Sequence, residues 1–145
     1  MIEYSIAKAE YLSQIIELYQ QLLPDEESID ICVAQEIWKT VNTDNSVYFV
    51  ALDDGKVVSS CYLAIIPDLT RNGKAIGFIE NVITDECYRR KGIGKRVVEM
   101  AIEFAKEKNC YKVVLQSGVK RTEAHKFYKS IGFDDNAKKA FELRL

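Results

Sequence analysis

Three segments follow one another without a break between Ala75 and Ala105: an apolar, β-rich run (AIGFIENVIT), a basic loop with glycine (DECYRRKG) and an amphipathic segment (IGKRVVEMAIEFA). The first run predicts a strand over 75–84. In the last, Ile93, Val97, Val98, Ala101, Ile102, Phe104 and Ala105 share one face, with Lys95, Glu99, Glu103 and Lys106 on the other, which predicts a helix from Ile93. A strand that passes through a glycine loop into a helix is an anion site in outline. The first N–H groups of the helix lack intrahelical partners, the helix dipole adds partial positive charge, and glycine lets the backbone approach a ligand closely.

Charge sharpens this reading. The stretch YRRKGIGKR, Tyr88 to Arg96, carries five basic side chains, yet the chain has Lys+Arg 20 against Asp+Glu 22 and a net charge of −2. A dedicated nucleic-acid binder is usually basic over its whole domain and interleaves aromatic residues with its cations, so no nucleic-acid partner is expected. Cations at a helix start also oppose the dipole, which makes a merely solvated helix end a poor explanation. Local positive charge on an acidic chain fits a small ligand with several negative charges.

Elsewhere the pattern predicts a strand over Ile2 to Ala7 and helices over about residues 9 to 23 and Ile29 to Val41, separated by the acidic loop PDEESID. Val47 to Leu52 and Val57 to Ile66 read as a hairpin about Asp54-Gly55. Lys112 to Gln116 reads as a strand, Ala124, Phe127, Tyr128 and Ile131 as a short helix ending at Gly132, and Ala140 to Leu145 as a closing strand. The 145 residues suffice for one domain with a proper core. No run is long and apolar enough for a membrane span, and the start Met1-Ile2-Glu3-Tyr4 does not open a signal peptide, so the cytoplasm is expected, with no membrane partner. Cys32, Cys61, Cys87 and Cys110 have neither zinc-ligand nor disulfide-framework spacing; no metal is expected.

Two phosphate loops are excluded by inspection. A Walker A loop ending at Gly94-Lys95 needs glycine at Arg89 and Ser or Thr at Arg96, and a dinucleotide fingerprint beginning at Gly92 needs glycine or alanine at Val97. What remains, Arg89-x-x-Gly92-x-Gly94, resembles the acetyl-CoA pyrophosphate loop Q/R-x-x-G-x-G/A of the GNAT superfamily of N-acetyltransferases. RTEAHKFYKSIGF, with Ala124, Phe127, Tyr128, Gly132 and Phe133 in step, resembles that family's second motif, and FIENVIT its central strand. Arg121 stands where the second motif often has asparagine. The variant from Ser117 to Tyr128 is most like the aminoalkylphosphonate-type members.

The resemblance implies an α/β (α+β) fold of order β-α-α-β-β-β-α-β-α-β, with a mixed, mostly antiparallel sheet flanked by helices. It implies direct acetyl transfer from acetyl-CoA to a primary amine of a small molecule, through a ternary complex with no covalent enzyme intermediate. On this reading the loop Arg89, Arg90, Lys91, Gly92, Ile93, Gly94 and Lys95 holds the pyrophosphate, and Val82, Ile83 and Thr84 pair with the pantetheine arm. Glu80 resembles the glutamate placed near the acceptor amine, and Tyr128 the general acid at the leaving thiolate. Arg121 would reach a phosphate of CoA or an anionic group of the substrate, and His125 would line the cofactor channel. Asp25, Glu26, Glu27 and Asp30 would border the acceptor site and suit a cationic amine, although Asp30 also fits a helix cap. Family members are often homodimers. Three other readings stay open: a protein N-terminus or lysine as acceptor, a non-catalytic acyl-CoA sensor, and a nucleic-acid module using the basic loop.

Overall fold

The computed structural model describes all residues from Met1 to Leu145. Strands β1 (Ile2–Ile6), β2 (Ser46–Asp53), β3 (Lys56–Ile66), β4 (Ala75–Thr84) and β5 (Cys110–Leu115) form one sheet in that order. The first four are antiparallel neighbours, and β5 runs parallel to β4. A parallel pair needs a crossover, which α3 (Ile93–Glu107) supplies between β4 and β5. Helices α1 (Leu12–Leu22) and α2 (Ile31–Trp38) precede β2, and α4 (Thr122–Ile131) follows β5.

Each face of the sheet buries its own cluster. On one face Ile93, Val97, Val98, Ala101 and Ala105 of α3 pack on Phe49, Ala51, Leu63 and Ile79; on the other, Ile15 and Leu18 of α1 pack on Val50, Leu52, Val57 and Ile83. The tight β2–β3 turn has positive φ at both Asp54 (47°) and Gly55 (78°), which a two-residue hairpin loop of this twist requires. The second expected helix is shorter than its apolar pattern: Asp30 starts it by accepting from the N–H groups of Cys32 (2.8 Å) and Val33 (3.3 Å), and it ends at Trp38.

The closing strand expected over Ala140 to Leu145 does not form. Residues 134–145 are exposed and carry no strand or helix, and the outer edge of β5 has no partner. Alternating Phe141, Leu143 and Leu145 describe a segment that would suit one face of a sheet, but a strand exists only when its backbone finds an edge to pair with.

The feature that shapes the site is a bulge in β4. Tyr62 pairs with Glu80 and Ser60 with Ile83, so two steps along β3 answer three along β4. The extra residue reverses the alternation of side chains: Ile79 points into the α3 cluster, and Ile83, four residues on, into the α1 cluster. Asn81 takes up the distortion at φ 54°, a left-handed conformation that asparagine tolerates better than most residues.

Candidate active site

The bulge coincides with the parting of β4 from β5. Their pairing ends at Ile79↔Leu115, whereas β3 stays paired to β4 as far as Thr84, so residues 80–84 present one unpaired backbone edge to a wedge-shaped gap. An unpaired edge accepts an extended partner by strand addition.

That edge leads into the glycine loop. A single-turn 3-10 helix, Glu86–Tyr88, is capped by Asp85, whose side chain accepts from the Cys87 N–H at 2.9 Å; this bond is the first of the causes that lower the Asp85 pKa. Tyr88 is tied down by its hydroxyl, which donates to Asp53 at 2.8 Å. Gly92 sits at φ 78° as the residue before α3, with open space where a Cβ would lie. The first bond of the helix runs from the Arg96 N–H to the Gly92 carbonyl at 3.1 Å, which leaves the N–H groups of Ile93, Gly94 and Lys95 without intrahelical acceptors. Gly94 is required for a different reason: a Cβ there would lie 2.7 Å from Oγ1 of Thr84, so only glycine lets α3 start this close to the end of β4.

The basic side chains of the loop do not act alike. Arg89 donates from Nε to the Thr84 carbonyl at 3.1 Å, bracing the loop against the strand. Lys91 lies 5.1 Å from the Tyr88 ring centroid, Lys95 pairs with Glu99 at 3.8 Å and Arg96 with Glu103 at 2.9 Å. All of these are exposed or half-exposed contacts that a ligand could displace at little cost. On the strand, the Ile83 carbonyl accepts from the Ser59 hydroxyl (2.9 Å) and the Thr84 carbonyl is held by Arg89, so Asn81 and Val82 are the stretch of edge with the fewest commitments. The edge expected from the sequence at Val82, Ile83 and Thr84 is extended by Asn81, which lies on the same unpaired stretch.

Glu80 lies at the start of the unpaired edge, and Tyr128 lies on α4 within electrostatic reach of it. Glu80 is exposed and forms no ion pair, which leaves its carboxylate uncommitted. Tyr128 is 7% exposed, packed between Phe127 and Phe133. Burial raises its pKa, Arg121 opposes the rise, and Cys61 and Glu80 add to it, so Glu80 and Arg121 both lie within electrostatic reach of the phenol. A phenol with a raised pKa stays protonated and keeps a proton to give. His125 bonds through Nε2 to the Gly118 carbonyl at 2.8 Å and closes the turn into α4. Cys61 is fully buried and its thiol is pushed up to about 12, so it does not supply a thiolate. No group of three or more His, Cys, Asp and Glu side chains gathers as a metal site, and no helix is long and apolar enough to cross a membrane.

The profile of the acetyltransferase (GNAT) family matches residues 12–133, which includes the strand, the glycine loop and the Tyr128 helix. The chain belongs to this family. Among curated relatives, glucosamine 6-phosphate N-acetyltransferase of Trypanosoma brucei brucei is 42% identical over 79 residues, which cover 54% of this chain and 52% of that protein. N-alpha-acetyltransferase 30 of Xenopus laevis is 37% identical over 79 residues, 53% of this chain and 29% of that one. The chain thus spans about half the length, or less, of these two relatives. Among solved structures, a candidate acetyltransferase from Agrobacterium tumefaciens str. C58 superposes with a TM-score of 0.92 at 38% identity, covering 99% of both chains. The two chains therefore share one fold from end to end.

Proposed function

We propose that this GNAT protein is an acetyl-CoA-dependent N-acetyltransferase that moves an acetyl group directly onto the primary amine of a small molecule. The observation that carries the reading is the continuous track formed by the unpaired β4 edge and the N-terminus of α3, with Glu80 at the start of that edge and Tyr128 within electrostatic reach of Glu80. The edge at Asn81–Val82 would pair with the pantetheine amides. The N–H groups of Ile93 to Lys95 would grip the pyrophosphate, with Arg90, Lys91 and Lys95 screening its charge.

In the reaction the amine nitrogen attacks the thioester carbonyl, a C–N bond forms, the C–S bond breaks, and the products are the acetamide and free CoA. The acceptor arrives as an ammonium with a pKa near ~10, so freeing the amine at pH 7 costs about 4 kcal/mol. Glu80 attracts the ammonium and accepts its proton, directly or through water. The backbone N–H near Val82 would bond the carbonyl oxygen as negative charge develops. Tyr128 protonates the departing thiolate in concert with C–S cleavage, because a phenol is otherwise too weak an acid for a thiolate. Metal-ligand clustering is not called upon, and acetyl-CoA is the only co-substrate.

Thiol release from acetyl-CoA on adding an amine tests the assignment. CoA binding without turnover of any amine would instead make the protein an acyl-CoA sensor. A peptide N-terminus is the second acceptor to try, since N-alpha-acetyltransferase 30 is among the relatives.

Two further properties belong to the same reading. The open β5 edge and the exposed tail bearing Phe141, Leu143 and Leu145 suit a homodimer in which each tail pairs with the other copy's sheet. Light scattering should give twice the chain mass, and removing residues 139–145 should return it to one; an intact protein of single mass rejects the dimer. Four unpaired cysteines fit a reducing compartment, so we place the enzyme, as a single catalytic domain, in the cytoplasm.

A further inference from the structure

The sheet face beneath α1 and α2 carries a row of side chains that ends at Glu80 and whose tyrosines the reaction scheme does not use. Register places Tyr48 of β2 opposite Tyr62 of β3, and Tyr62 opposite Glu80 of β4, so the three follow one another across the sheet at strand spacing. Tyr48 stacks on Tyr62 with ring centroids 4.5 Å apart and planes 20° apart, and Trp38 of α2 lies tilted over Tyr48 at 5.6 Å. At the Trp38–Tyr48 end the row opens into a cavity of about 290 Å³ between α1, α2 and β2. The hydroxyl of Tyr19, which also lines the cavity, is buried beside the polar groups of Tyr48 and Asn81 without a well-formed hydrogen bond to either. Such a group costs stability unless something else satisfies it.

Charge around the cavity is one-sided. Its only ionisable charged lining residues are Glu26 and Glu27. From Ala9 to Trp38, the whole length of chain that builds α1, the connecting loop and α2, there are seven carboxylates and no Lys, Arg or His. A phosphate or phosphonate is held by Arg, Lys or a helix N-terminus. Of the two helices beside the cavity, α2 has the N–H groups of Cys32 and Val33 taken by Asp30, and α1 continues a 3-10 turn over Ala9–Tyr11, with the Leu12 N–H bonded to the Ala9 carbonyl.

We propose that the acceptor is a cationic amine with an apolar or aromatic body, and that the wall formed by residues 9–38 excludes phosphorylated and phosphonate-bearing amines. The body would enter the cavity against Trp38 and Tyr48, the tyrosine row would guide the aliphatic link, and the ammonium would arrive at Glu80, two strand spacings or roughly 10 Å from Tyr48. This deepens the acetyltransferase reading and rests on it. It also sets the protein apart from the relatives named for glucosamine 6-phosphate, and from the aminoalkylphosphonate-type likeness of its second motif.

The test compares kcat/KM of the whole protein with acetyl-CoA and five acceptors: 2-phenylethylamine, tyramine, glucosamine 6-phosphate, 2-aminoethylphosphonate and a short peptide with a free N-terminus. The arylalkylamines should exceed both anionic amines at least ~100-fold, a gap typical of a site that leaves a buried charge unpaired. Turnover led by either anionic amine, or by the peptide, overturns this inference while leaving acetyl transfer standing. No turnover of any acceptor overturns both. Glu26→Lys combined with Glu27→Lys lies on the exposed rim and does not threaten the core. It should raise KM for tyramine at least ~10-fold, narrow the gap to glucosamine 6-phosphate and leave KM for acetyl-CoA unchanged. Unchanged KM for tyramine in that variant rejects the electrostatic wall. Trp38→Ala should raise KM for tyramine, and equal KM values reject the aromatic seat.

Discussion

Helices α3 and α2 cover opposite faces of one sheet and are built in opposite ways. Helix α3 has fifteen residues and buries five of them, whereas α2 has eight and buries only Ala34, leaving Ile31, Val33 and Ile37 more than 40% exposed. Helix α3 begins in a glycine loop ringed by cations; α2 follows an acidic loop and is capped by a carboxylate. The first end offers backbone N–H groups held rigid by the core, which would suit an invariant ligand such as the proposed CoA pyrophosphate. The second presents side chains on a lightly anchored helix, which stays folded only by its packing because eight residues are too few to persist alone. Such a wall can vary its chemistry without disturbing the sheet.

The contrast breaks most sharply at the loop. Gly92→Asp places a side chain and a negative charge in the open space before α3 and should weaken acetyl-CoA binding at least ~100-fold by calorimetry, well beyond the ~1–2 kcal/mol cost of a left-handed residue in Gly92→Ala. Retained affinity in Gly92→Asp means the pyrophosphate does not lie there. Next in size, Tyr128→Phe should lower kcat at least ~10-fold and leave acetyl-CoA affinity nearly intact, the mark of a transition-state role. Equal kcat removes Tyr128 from the chemistry.

A smaller effect separates packing from binding at Gly94. Gly94→Ala forces a Cβ against Thr84 Oγ1 and should lower Tm by several degrees, with partial recovery in Gly94→Ala/Thr84→Ala, since the clash is with one atom. No recovery would point to the helix backbone instead. On the acceptor side, Tyr19→Phe removes a buried hydroxyl that has no well-formed hydrogen bond and should leave stability nearly unchanged while raising KM for the amine. Lower stability would mean that the hydroxyl is satisfied after all.

The mildest expectation concerns pH. Burial is the first cause raising the pKa values of Tyr19, Tyr48 and Tyr128, so the folded protein holds these protons more tightly than the unfolded chain, whose phenols titrate near ~10. Stability from neutral phenols is complete below that pH and is lost as pH rises above it. Urea midpoints should therefore fall above about pH 10, less steeply in Tyr19→Phe. An identical slope in the variant removes Tyr19 from the effect.

Much of the α3 end was legible in the sequence, because short-range rules govern it. The periodicity of Ile93 to Ala105 names the buried face, and glycine at 92 and 94 marks a backbone that must turn and approach closely. The same rules misjudged the tail: Ala140 to Leu145 has a strand's alternation, but pairing is a property of two segments. They also passed over Tyr48, Tyr62 and Trp38, which are unremarkable residues of two strands and a helix until register and docking line them up beside Glu80.

The sequence by itself determined the strand–glycine loop–helix unit, the residues of both motifs and the split between a basic loop and an acidic arm. Each depends on composition or on spacing within a few turns of chain. Tertiary structure alone decided where β4 leaves β5, that an extra residue at Asn81 turns Ile83 to the other face, and that Glu80 closes a tyrosine row. Those follow from register between strands distant in sequence, where one inserted residue exchanges the two faces of a sheet.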